Sequence, residues 1–81
     1  MEYLIAVFKS RNQTIKVSER LKKMGVYCEV INTPRQASLG CGLSVKFYPS
    51  ALPAVRRLIN NDCFYSFGGV FKVCGRSVTP L

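Results

Sequence analysis

The sequence contains no His and no Trp. The first absence alone removes imidazole acid/base catalysis, serine or cysteine triads that depend on His, and most zinc sites. Acidic side chains are almost as scarce: Glu2, Glu19, Glu29 and Asp62 are the only four, against 12 Lys and Arg. Their scatter along the chain argues against the paired carboxylates of a glycoside hydrolase. The four cysteines, Cys28, Cys41, Cys63 and Cys74, include no C-x-x-C pair. A zinc or iron–sulfur site is therefore not expected, and no metal or other cofactor is assigned. No apolar run approaches the length of a bilayer span. The first residues, MEYLIAVFKSRNQ, open with an acid and turn basic after a few apolar positions, unlike a signal peptide. The expectation is a cytoplasmic protein without membrane association, whose thiols stay reduced.

What is present is a net charge of +8 on 81 residues. That balance attracts anions, whether nucleic acid, acidic protein faces or a negatively charged small molecule. The length suits one domain with a small core, so apolar residues at regular spacing are assigned to packing before function.

Periodicity gives the elements. Tyr3 to Phe8 is an apolar, strand-forming run ended by Lys9-Ser10. Ser10 with Gln13 three residues on forms a capping box, and Val17, Leu21 and Met24 recur at helical spacing before Gly25, which predicts a helix over 11–24. Val26 to Ile31 reads as a second strand at an edge position, broken by Asn32-Thr33-Pro34. A long aperiodic loop follows, running through Gly40-Cys41-Gly42. Leu43, Val45 and Phe47 then alternate with Ser44, Lys46 and Tyr48, a third strand. Ser50 as N-cap and the stripe Leu52, Val55, Leu58, Ile59 predict a second helix to about Asn60. Cys63–Phe67 and Val70–Val73, interrupted by Gly68-Gly69, make one bulged strand or a hairpin.

The order β-α-β-β-α-β predicts a ferredoxin-like α+β sandwich, an antiparallel sheet with two helices on one face. Residues 1–74 form the single domain, and residues 75–81 read as a flexible C-terminal tail.

Two features could carry function. Lys16, Arg20 and Lys23 share a face of the first helix, which is either an ordinary solvated surface or a docking patch for an acidic partner. Cys41 stands between Gly40 and Gly42, where little side-chain bulk surrounds the sulfur. A thiolate is activated by nearby cations or backbone N–H groups, and Arg35 lies in the same loop. From composition, Cys41 is either a reactive thiol or a small buried hydrophobe. Cys28 and Cys63 read as packing, and Cys74, near the tail, is a resolving thiol for Cys41 only if the fold brings the two Cα atoms close.

The opening strand Tyr3-Leu4-Ile5, the helix end Leu21-Lys22-Lys23-Met24-Gly25-Val26, then Thr33-Pro34-Arg35 and Cys41-Gly42-Leu43-Ser44-Val45-Lys46-Phe47 resemble the DUF3343 family of selenium/sulfur (Se/S) carrier-like proteins. The resemblance covers about residues 2–65. It implies a carrier, more than a true enzyme, in which Cys41 holds a persulfide or perselenide for an acceptor. Arg35 would stabilise the anion, Pro34 would fix the loop, and Gly40 and Gly42 would let it turn. The implied partners are donor and acceptor proteins.

Two other classes compete. A noncatalytic interaction module, including a homodimer that covers its open sheet face, fits the apolar strands. RNA-recognition domains share the element order, but the third strand places Ser44 and Lys46 where stacking aromatics belong, so specific nucleic-acid binding is not expected.

Overall fold

In this computed structural model, which describes residues 2–38, 42–62 and 64–81, the apolar opening run forms β1 (Glu2–Phe8) at the centre of the sheet. The remaining elements are α1 (Arg11–Lys23), β2 (Glu29–Asn32), β3 (Leu43–Phe47), α2 (Leu52–Asn61), β4 (Phe67–Cys74) and β5 (Ser77–Pro80), with short 3-10 turns at Arg35–Ala37 and Pro49–Ala51. All pairings are antiparallel, in the order β2-β3-β1-β4-β5. This is the expected ferredoxin-like α+β arrangement with one strand more.

Alternation along β1 divides the molecule into two layers. Leu4, Ala6 and Phe8 face the helices and pack with Val17, Leu21, Val45, Phe47, Val55 and Leu58. Phe8 meets Phe64 edge-on and Phe67 at a tilt, with centroids 6.1 and 5.5 Å apart. Ile5 and Val7 face the other way, yet they are 0% and 1% exposed. They are covered because Ala37, from the 3-10 turn between β2 and β3, packs on them with Val73. The face expected to be open thus has a partial cover of its own chain, and less apolar surface is left there for a second copy.

Local chemistry explains where α1 starts and stops. The Ser10 side chain accepts from the Gln13 amide, as a cap should. The reciprocal half of the box is absent: the Gln13 carbonyl oxygen takes the Ser66 amide and hydroxyl instead, tying α1 to the turn before β4. At the other end the Val26 amide donates to the Leu21 carbonyl at 2.9 Å and the Gly25 amide to Lys22 at 3.0 Å, a Schellman motif with Gly25 at φ +80.

Four expectations are corrected. The second strand begins at Glu29, not Val26, because the Schellman turn draws Val26 back onto the core. Ser50 does not cap α2: it lies in the 3-10 turn, Ala51 occupies the cap position, and no side chain bonds there. Phe64 to Ser66 form a turn, and the last expected strand is one bulged strand, since Gly69 pairs with Val7 and Phe67 with Phe8, leaving Gly68 over. The tail is not loose throughout: β5 pairs with β4 from Ser77 to Pro80 across a tight turn with Gly75 at φ +60.

Candidate functional site

The registers define two ends of the sheet. At the Phe8 end lie the β1–α1 turn, the β2–β3 connection and the approach from α2 to β4. The α1–β2, β3–α2 and β4–β5 turns lie at the Glu2 end.

The candidate site is the β2–β3 connection, residues 33–42. Its base is clasped. The Thr33 amide donates to the Gly42 carbonyl at 2.8 Å, and the Thr33 and Ser44 hydroxyls share a hydrogen bond of 2.6 Å. Ser44 is fully buried on the sheet face opposite the helices, so its hydroxyl needs this partner. Pro34, at φ −57 and ψ 145, directs the chain into the 3-10 turn. There the Ala37 amide donates to the Pro34 carbonyl at 3.0 Å, and Ala37 is pinned to the sheet, 3% exposed. Arg35 is exposed at the start of this turn. Gly42 has φ +79, and a Cβ there would meet nothing within 4 Å. The backbone conformation, not crowding, is what calls for glycine.

Of the residues expected to form the site, the structure thus holds Pro34, Arg35 and Gly42 in one anchored connection. Cys41 and Gly40 lie outside the described residues, as does Cys63. The remaining cysteines are accounted for separately. Cys28 is 4% exposed, its thiol donates to the Ser18 carbonyl at 3.4 Å, and burial pushes its pKa up against the opposing influence of Lys22. That is a packing thiol. Cys74 is exposed and pairs with Glu2, at the other end of the sheet from Gly42, the residue bonded to Cys41.

Lys16, Arg20 and Lys23 are all exposed on α1, but Arg20 is engaged by the Asp62 carboxylate beyond the end of α2. Among the described residues no three of His, Cys, Asp and Glu cluster as metal ligands, and no helix is long and apolar enough to cross a membrane.

Sequence reasoning missed one constellation. On the face opposite the helices the Lys46 ammonium lies 4.6 Å from the Tyr3 ring centroid and 5.8 Å from that of Tyr48. Lys46 also pairs with Glu29 at 3.7 Å, and Tyr48 stacks on Tyr27 at 5.5 Å. The Tyr27 hydroxyl has its pKa raised, first by its hydrogen bond to Glu29 and then by desolvation. The signal was present: Tyr27 and Tyr48 continue the period-two patterns of Glu29 and Lys46 beyond the strand ends.

Residues 3–63 match the family described as "Putative Se/S carrier protein-like". The match spans most of the chain, and the protein belongs to that family. The matched region contains the whole 33–42 connection, while β4 and β5 lie beyond it. No curated protein and no solved structure matches the chain.

Proposed function

We propose that this protein carries sulfur or selenium on Cys41, as a persulfide or perselenide, between a donor and an acceptor protein. The observation that carries the reading is family membership across residues 3–63. In loading, the Cys41 thiolate attacks the terminal sulfur of a donor persulfide. A new S–S bond forms, the donor S–S bond breaks, and its electron pair leaves on the donor thiolate. In delivery, an acceptor nucleophile attacks the same terminal sulfur and Cys41 leaves as thiolate, so the relay needs no external oxidant or reductant. With selenium the transferred atom is Se and the balance is the same.

The protein's contribution is electrostatic and conformational. Arg35, fixed in charge, favours the thiolate and the anionic terminal chalcogen. Pro34, Gly40 and Gly42 shape the connection, and the Thr33–Gly42 clasp supports this role by holding its two ends together. On the Lys16, Arg20 and Lys23 face, Lys16 and Lys23 offer acidic partners a long-range attraction, while Arg20 is paired with Asp62.

Intact-protein mass spectrometry without reductant, after incubation with a cysteine desulfurase and cysteine, tests the reading. One added sulfur atom is expected on the wild type and none on Cys41→Ser. An unmodified wild type with demonstrably reduced thiols, or an equal adduct on Cys41→Ser, would overturn it.

A further inference from the structure

Two surfaces lie outside this chemistry. A cleft of about 320 Å³ at the Glu2 end, between the turns at Gly25–Tyr27 and Tyr48–Ala54, has no charged lining residue among the described residues and carries nothing that selects an occupant. The sheet face opposite the helices is more specific. Register places Tyr3, Phe71, Val73, Val78 and Pro80 on it beside Ile5. Ala37 covers Ile5 and Val7, and beyond that cover Tyr3, Phe71 and Val78 stay half-buried while Pro80 is exposed. The strands carry only four charged residues. Glu2 and Lys72 alternate to the helix side with Leu4 and pair with each other at 3.9 Å. Glu29 and Lys46 are cross-strand partners on the opposite side and pair at 3.7 Å. The strands thus present a neutral face on a chain of net charge +8, whereas the two helices behind them carry seven of its 12 Lys and Arg.

This distribution of charge selects the occupant. An acidic protein or a phosphate backbone gains most from unpaired cations, and the one cation the strands place on this face is already paired with Glu29. A second copy brings an equally neutral face, and a twofold axis uses each exposed apolar side chain twice. The helices then lie on the outside of a two-sheet stack. With sheets about 10 Å apart and a helix about 10 Å across behind each, the two cationic layers are separated by roughly 30 Å, several times the Debye length of about 8 Å at physiological ionic strength. We infer that the chain forms a homodimer through the β1–β4–β5 part of this face, with Tyr3, Phe71, Val78 and Pro80 set against their counterparts. The contact is small, because Ala37 already covers part of the face, so the dimer is weak and reversible. The inference is independent of sulfur or selenium loading.

Sedimentation equilibrium of the full chain, from about 10 µM to about 1 mM, reads the association. Reductant is present throughout, so that a disulfide between exposed Cys74 residues is not counted. The expected result is a reversible monomer–dimer equilibrium that tightens modestly as salt is raised, because salt screens the repulsion between two chains of charge +8. Val78→Lys weakens it at least about tenfold, since the twofold axis brings like charges together. Pro80→Lys, at an exposed position of β5 where the fold has little at stake, acts in the same direction. Arg56→Glu, exposed on α2, does not weaken it. A dimer that weakens with salt, is indifferent to both β5 variants or is broken by Arg56→Glu would overturn the proposal. So would a chain that stays monomeric over the whole range, whether or not an oligouridylate or a neutral peptide shifts the Tyr3 and Phe71 amides in NMR.

Discussion

The two ends of the sheet are built by different means. At the Phe8 end, the candidate thiol loop is a contiguous connection closed on itself by Thr33 and Gly42 and pinned by Ala37. At the Glu2 end, the cleft is assembled from two turns more than twenty positions apart in sequence, residues 25–27 and 48–54, that meet only because α1 and β3 deliver them to one place. Chemistry held in one loop can be read as a motif. A surface shared by two distant turns becomes visible only in the fold.

The largest effect on this comparison is expected from Ala37→Asp. A carboxylate placed against Ile5, Val7 and Val73 has no partner there, and stability should fall by roughly 2–4 kcal/mol in denaturant unfolding. Amide exchange should quicken in residues 33–38 while the Gly25 to Tyr27 turn keeps its protection. Equal loosening at both ends would show that the connection is not a separate unit.

Gly42→Ala should act at the same end but more weakly. Its left-handed backbone would cost an alanine about 1–2 kcal/mol, with no added clash to relieve. Unchanged unfolding in this variant would mean that the Thr33–Gly42 clasp does not hold the loop as described.

The smallest effect concerns Cys28, next to the cleft wall. Its pKa is raised in the folded protein, so the unfolded chain ionises first as pH increases through 9.0, the ordinary thiol value here. The folded state binds more protons over that range, and stability falls with rising pH. Tyr27 contributes with the same sign at higher pH. Cys28→Ala should flatten the lower part of this alkaline decline in thermal unfolding. A slope identical to wild type would place the titrating group elsewhere.

The sequence made β1, α1 and β3 legible because each is governed by local rules: a continuous apolar run, a Ser10 cap with a glycine stop, and strict alternation. It misplaced the start of β2 because Val26 is strand-like in type yet serves as the hydrophobic partner of a Schellman turn. It missed β5 because Ser77-Val78-Thr79-Pro80 is short and polar, and its pairing depends on a turn at Gly75 and on an edge position that tolerates Pro80. In the candidate site, Pro34, Arg35 and Gly42 stood out by spacing. The anchoring role of Ala37 did not, because nothing in an isolated alanine announces which face of a sheet it will cover.

Whether Cys41 is the thiol that loads is read by locating the added atom. The donor-treated protein is alkylated, digested and sequenced by tandem mass spectrometry, with all four cysteines followed in one experiment. The extra sulfur, or selenium from a selenium donor, is expected on the peptide containing Cys41, with Cys28 unmodified. Loading on Cys63 or Cys74 while Cys41 stays a simple thiol would contradict it.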